Sequence, residues 1–192
     1  MNLPNKITLF RIIIIPVIMF FGFPYPSSFM PDMLCKIAVL VLFIIAEFSD
    51  MADGKIARKY NLVTDFGKFL DPVADKLLVS AALLSVCAER PIYVWVTMII
   101  LLREFVITGF RLVASGKGVV IAAGKLGKFK TVLQTTALTV LMAAPVLGYI
   151  YEPLKGIFTV VGDIIMALAV VMTIVSGVEY IVKNKNILSG SM

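Results

Sequence analysis

Four aspartates stand at helical spacings within one short stretch of the chain, Asp50 and Asp53 three residues apart, Asp71 and Asp75 four apart. On a helix, each pair shares one face. The stretch that holds them, residues 47–75, is the longest polar interruption in the sequence. Two such pairs on consecutive antiparallel helices can converge, and the turn around residues 60–65 is short enough to hold those helices side by side. The chain contains no histidine, so a metal site must be built mainly from oxygen ligands, which favours hard ions such as magnesium, calcium or manganese. Two divalent cations a few ångströms apart are a recurrent arrangement for displacement at phosphorus, one stabilising the attacking oxygen and the other the leaving oxygen. A single aspartate here would be accounted for by a solvated loop or by pairing with Lys55, Arg58, Lys59, Lys68 or Lys76. Four at these spacings point instead to shared cations.

The elements that must position these carboxylates are apolar. Hydrophobic residues make up 60% of the 192-residue chain and charged residues only 16%, far from the balance of a soluble domain. Apolar runs at 7–23, 33–56, 69–88, 92–114, 132–150 and 157–182 approach or exceed the length of about 20 residues that crosses a bilayer. The expected fold is therefore all-α: an integral membrane bundle of six transmembrane helices with a short interfacial N-terminal segment, forming one domain over residues 1–192. A secretory signal is the other reading of the N-terminus, but no small-x-small cleavage site follows the first run. Cys35 and Cys87 each lie alone in an apolar segment and are expected to be buried free thiols.

An aspartate near a helix centre costs roughly 2.5 to 3.5 kcal/mol on the insertion scale, so four unrelieved ones approach about 10 to 14 kcal/mol. Nearness to the membrane interface offsets part of this, and bridging cations offset most of the rest. Gly54 and Ala57 share the face of Asp50 and Asp53, where their small size admits a flat nucleotide or a neighbouring helix. Gly67, one turn before Asp71, invites the same two readings.

Basic residues set the orientation. The connections at 22–31, 89–91 and 151–156 hold only Arg90 and Lys155, whereas Lys6, Arg11, Lys55, Arg58, Lys59, Lys68, Arg111, Lys117, Lys125, Lys128, Lys130, Lys183 and Lys185 fall on or near the other side. By the positive-inside rule that side is cytoplasmic, with both termini and the aspartates on it. The formal charge of +6 thus reads as topological signalling and attraction to anionic headgroups. A nucleic-acid partner is not expected, because no soluble domain remains to carry a basic surface.

At the aspartates the sequence resembles the CDP-alcohol phosphatidyltransferase family, whose pattern is D-x-x-D-G-x-x-A-R, eight residues, then G-x-x-x-D-x-x-x-D. Asp50, Asp53, Gly54, Ala57, Arg58, Gly67, Asp71 and Asp75 match every fixed position. Chain length and the six-span reading agree with the family as well. The resemblance implies that an alcohol attacks the β-phosphorus of CDP-diacylglycerol in a cell membrane and releases CMP. It implies one or two Mg2+ or Mn2+ ions on Asp50, Asp53 and Asp71, with Asp75 contributing to coordination or acting as general base. Gly54, Ala57 and Arg58 would line the nucleotide site together with Asn5, Thr8 and Gly67. A homodimer is also the expectation it carries.

The acceptor is read from two further segments. Pro4-Asn5-x-x-Thr8-x-x-Arg11 resembles the start of family members that make phosphatidylglycerophosphate, and so does the run from Gly124 to Gln134, Gly-Lys-Leu-Gly-Lys-Phe-Lys-Thr-x-x-Gln. Lys125, Lys128 and Lys130, helped by Arg103 or Arg111, are expected to receive the phosphate of sn-glycerol 3-phosphate, since a dianion beside acidic groups needs several donors. Lys59 and Thr64 are further candidates. Arg103 lies inside an apolar run, so it must snorkel, pair with Glu104 or an aspartate, or bind substrate.

Three alternatives make different demands. A family member using serine, inositol phosphate or phosphatidylglycerol is nearest, but serine would not need so much positive charge at the fifth run. An ion-coupled transporter would distribute acids through both halves of an inverted repeat, whereas the second half offers Asp163 and Glu179, read as solvated or hydrogen-bonded structural residues. A membrane prenyltransferase would need a second aspartate-rich segment on a distant helix, and none exists.

Overall fold

A computed structural model describes residues 2–24, 29–60, 64–119, 121 and 124–184; for Leu3, Ala52, Lys55, Ala57, Arg58, Lys59, Lys68 and Lys125 it describes the helical backbone only. Among the described residues the chain forms six α-helices and no strand: α1 Leu3–Gly22, α2 Asp32–Lys59, α3 Asp65–Glu89, α4 Tyr93–Gly116, α5 Lys125–Ile150 and α6 Glu152–Asn184. Three stretches, Pro4–Gly22, Leu126–Ile150 and Glu152–Asn184, are long and apolar enough to cross a membrane by length and composition. The all-α reading therefore holds, and the chain is a membrane protein.

Five of the six described helices begin before the apolar run that announces them, α4 being the exception. α3 starts at Asp65, where the Thr64 hydroxyl accepts the Gly67 backbone N–H at 3.1 Å and so caps the first turn. α5 starts at Lys125, seven residues ahead of the expected 132–150 run, because helix formation does not require the apolar character that marks a span. Residues 3–6, at the expected N-terminal segment, form the first turn of α1, with Pro4 where its missing N–H costs nothing.

α1 packs against α2 and α3, α4 against α3 and α6, and α5 lies along α6 and also meets α2. Ile18, Phe43, Leu78, Leu83, Ile100, Leu138 and Met166 fill the common core, interleaved with Ala46, Ala81, Ala82, Ala137 and Ala169. Such small residues let helices approach closely where lipid removes the usual hydrophobic drive between them. The outside is apolar in turn: Trp95, Leu102, Phe105, Leu112 and Phe69 are all about two-thirds exposed or more, as a lipid-facing surface requires. Cys35 is buried and Cys87 half-buried, both as free thiols.

The end of the bundle away from the aspartates is held by closed ion pairs. Arg90 gives both terminal nitrogens to Asp163, at 2.5 and 2.8 Å, and the Tyr93 hydroxyl donates to the same carboxylate. The bond to Asp163 is also the leading reason that Arg90 is held above its ordinary pKa. Lys36 lies 3.0 Å from Asp32 and 3.6 Å from Glu89. Asp163 is thus hydrogen-bonded structurally, as expected.

Candidate active site

The site is assembled where α1 packs against both α2 and α3, which touch each other only slightly, so the expected side-by-side pairing of α2 and α3 is made through α1. Thr8 and Arg11 lie three residues apart on α1, hence on one face, and that face meets the aspartates. The Thr8 hydroxyl donates to Asp71 Oδ1 at 2.7 Å and lies 3.4 Å from Asp53 Oδ2. Arg11 is completely buried. Its Nη2 donates to Asp53 Oδ2 at 2.5 Å and its Nη1 donates to Asp50. Asp50, Asp53 and Asp71, from two helices, are therefore linked through one cation and one hydroxyl on a third.

Asp53 is 4% exposed and Asp50 about half-exposed, so the linked group runs from the interior to an open edge. Burying a guanidinium in a membrane bundle is expensive unless opposing charge surrounds it. Arg11 meets that condition with two carboxylates, although its Nε finds no partner among the described residues. Arg11 already supplies part of the positive charge that this acidic cluster demands. Among the described residues no group of three or more His, Cys, Asp or Glu side chains stands close enough together to hold a metal ion, and the Arg11 guanidinium lies among the carboxylates.

Asn5 and Gly67 belong to the same crossing. Thr64 donates its hydroxyl to Asn5 Oδ1 at 3.0 Å while capping α3. A Cβ on Gly67 would fall 2.9 Å from Asn5 Oδ1 and 3.3 Å from Thr64 Oγ1, so the absent side chain permits this approach of α1 to α3. Thr64 is engaged in capping rather than facing the cationic cavity described next. Gly54 lies on α2 one residue beyond Asp53, half-buried. The side chains of Ala57, Arg58 and Lys59, on the last turns of α2, and of Lys125 lie outside the described residues.

Asp75, one turn beyond Asp71 on α3, is not among the hydrogen-bonded three. It lines a cavity of about 460 Å3 between α3, α4, α5 and α6, yet it stays near enough to Asp50, Glu104, Arg11 and Lys130 for their charges to bear on it. Arg103, Arg111 and Lys128 line the same cavity. Arg103 donates to Glu104 at 3.1 Å and to Ser176 Oγ at 3.2 Å, so pairing with Glu104 is the outcome among those expected for it. A Cβ on Gly177 would lie 3.2 Å from Arg103 Cγ, so this glycine leaves room for the stem. Arg111 donates to the Tyr180 hydroxyl at 3.4 Å and sits 5.5 Å from the centre of its ring. Lys130 differs from Lys128: it is buried, its ammonium bonded to Glu104 at 2.5 Å.

Sequence does not give several residues of the site the role that they have. Arg11 reads there as a topology-setting charge and as the end of the pattern that begins at Pro4, with no carboxylate partner assigned, yet a guanidinium inside an apolar run is itself the signal that a buried partner exists. Glu47, one turn before Asp50, is half-buried and within electrostatic reach of Asp75, Asp50 and Arg11. Ser176, Glu179 and Tyr180 give α6 a wall of the cavity, and no spacing links them to the motif.

Fold and site together define a helical membrane protein with an oxygen-only acidic cluster beside a cationic cavity. Residues 1–175 match the CDP-alcohol phosphatidyltransferase family model, and the chain belongs to that family. It is 45% identical over 95% of both chains to the CDP-diacylglycerol–glycerol-3-phosphate 3-phosphatidyltransferase of Bacillus subtilis (strain 168). It is 37% identical, over 93% of both chains, to the protein of the same name from Rickettsia felis. A protein described as a probable phosphatidylglycerophosphate synthase, from Mycobacterium tuberculosis (strain ATCC 25618 / H37Rv), is 34% identical over 95% of this chain and 81% of its own.

Proposed function

We propose that this enzyme transfers the phosphatidyl group of CDP-diacylglycerol to sn-glycerol 3-phosphate, giving phosphatidylglycerophosphate and CMP. The observation that carries the acceptor is the cavity in which Asp75 shares walls with Arg103, Arg111 and Lys128: a reacting carboxylate beside a cationic lining suits an alcohol that carries a phosphate. The names of the relatives point the same way.

In this reading Asp75 accepts the proton of the acceptor's primary hydroxyl as that oxygen bonds to the β-phosphorus, while the bond to the CMP oxygen breaks and CMP departs. An alcohol is a poor nucleophile at neutral pH until its proton has somewhere to go, and a positioned base supplies typically 10^2- to 10^4-fold. Asp50, Asp53, Asp71 and Asp75 fit one or two Mg2+ or Mn2+ ions by the chemistry of their donors, all hard oxygens, with the Arg11 guanidinium bonded to two of them. Bound there, such ions would screen the diphosphate and stabilise charge developing on the attacking and leaving oxygens. Arg11 and Thr8 keep Asp50, Asp53 and Asp71 gathered where three helices meet. Asn5, Gly54, Ala57, Arg58 and Gly67 form the nucleotide side. Arg103, Arg111 and Lys128 hold the acceptor phosphate, with Lys125 and Lys59 as further candidates and Lys130 acting through Glu104.

All six helices span the cell membrane, both termini and the aspartates face the cytoplasm, and the donor's acyl chains stay in the surrounding lipid. The protein works as a homodimer. Purified enzyme mixed with CDP-diacylglycerol should release CMP only when both Mg2+ or Mn2+ and glycerol 3-phosphate are present. Release with serine or inositol phosphate in its place would overturn the acceptor assignment.

A further inference from the structure

Lys130 and Gln134 lie one helical turn apart on α5 and are 4% and 2% exposed. Lys130 is taken up by Glu104. Gln134 has no such neighbour: its Oε1 is buried without a hydrogen-bond partner among the described residues. An amide oxygen left so is costly anywhere, and more so inside a membrane bundle where bulk water cannot relieve it.

Gln134 does not lie in unbroken packing. It lines a recess of about 50 Å3 together with Asp75, Glu104, Lys130 and Ser80. Asp75, Lys76, Glu104 and Thr131 also line the 460 Å3 cavity that carries Arg103, Arg111 and Lys128. A small recess with mostly apolar walls and these few polar groups therefore adjoins the cationic cavity, with Asp75 common to both. About 10 to 15 Å3 of such space holds one water, so the recess has room for a hydroxyl-bearing group and is far smaller than the cavity beside it.

On the reading that glycerol 3-phosphate is the acceptor, we propose that Gln134 is a specificity-determining residue that binds the acceptor's second, non-reacting hydroxyl. The primary hydroxyl must face Asp75 to lose its proton, and the phosphate must reach the arginines. The remaining hydroxyl, one carbon from the reacting one, is the group left to enter the recess. A hydroxyl both donates and accepts, so it satisfies the amide whichever end the side chain presents. Serine and inositol phosphate do not offer a hydroxyl at this position between a primary alcohol and a phosphate, so the same contact discriminates among acceptors.

The test compares sn-glycerol 3-phosphate with 3-hydroxypropyl phosphate, which keeps the phosphate and primary hydroxyl but lacks the middle one. Wild-type enzyme, with CDP-diacylglycerol and Mg2+, should favour glycerol 3-phosphate by about 10- to 100-fold in kcat/KM, because a site built to bond a hydroxyl penalises its absence. In Gln134→Leu that ratio should fall to within about threefold of unity. The nearly isosteric Gln134→Met, which preserves packing, should show the same collapse, and this guards against a folding defect in the first variant. A wild-type enzyme indifferent to the two acceptors, or a preference that survives in both variants, overturns the inference while leaving the acceptor assignment standing. A wild-type enzyme that ignores glycerol 3-phosphate overturns both.

Discussion

The two ends of the bundle use charge differently. Away from the motif, Arg90, Tyr93 and Asp163 close on one another, Lys36 is shared by Asp32 and Glu89, and the Tyr149 hydroxyl reaches Asp32 at 3.0 Å. Among the described residues, none of the buried polar side-chain atoms lacking a partner lies at that end. All three, Arg11 Nε, Arg103 Nε and Gln134 Oε1, belong to the half that carries the aspartates. A cavity is present at each end, about 260 Å3 against about 460 Å3, so volume alone does not separate them. Unfinished hydrogen bonding does, because a native structure leaves few buried polar groups unmatched, and each calls for a partner such as a water, an ion or a ligand.

Changes at the motif end should affect chemistry, and the largest effect is expected at Asp75. Asp75→Asn should lower kcat by about 10^2- to 10^4-fold, while binding of CDP-diacylglycerol, followed by protection of the nucleotide against exchange, changes little. Equal loss of donor binding would move Asp75 from base to ligand.

Next comes Arg11. Arg11→Met leaves Asp53 buried without its cation, and removing one partner of a buried pair typically costs about 3 to 5 kcal/mol. Thermal unfolding in detergent should show that loss, and Mn2+ should restore more stability to this variant than to wild type. An unchanged melting temperature would mean that Arg11 does not hold the carboxylates together.

Arg111→Ala should raise the KM for glycerol 3-phosphate by roughly 10- to 100-fold, the worth of one charge-assisted hydrogen bond, with kcat nearly constant. A fall in kcat at constant KM would place Arg111 at the reacting phosphorus instead. The smallest change is expected at the closed end: Arg90→Met breaks a pair in which both side chains are about one-third exposed, and such pairs contribute about 0 to 1 kcal/mol. Its steady-state kinetics should match wild type, and a large kinetic defect would erase the distinction between the two ends.

Much of this is readable in the sequence because it is local. The spacing of Asp50 with Asp53 and of Asp71 with Asp75 is enough to put each pair on one helical face, and apolar runs locate all six helices. Helix starts are less legible: the cap at Thr64 and the basic first turns of α5 carry no hydropathy signal. The contacts of Arg11 with Asp50 and Asp53 span 39 and 42 positions, and no periodicity encodes which face of α1 meets α2. The pairing of Lys130 with Glu104, which leaves Lys128 facing the cavity, likewise follows from how α3 and α6 hold α4 and α5 within side-chain reach. In sequence Gln134 is the end of a basic segment; only the packing around it reveals an amide oxygen without a partner.

The most direct measurement is a titration of Mn2+ into the purified enzyme with CDP-diacylglycerol, followed by electron paramagnetic resonance. Wild type should bind Mn2+, and Asp53→Asn and Asp71→Asn, changed on different helices, should each weaken or abolish that binding. Both variants binding as many ions as wild type, with unchanged affinity, would contradict a shared cation site built from α2 and α3.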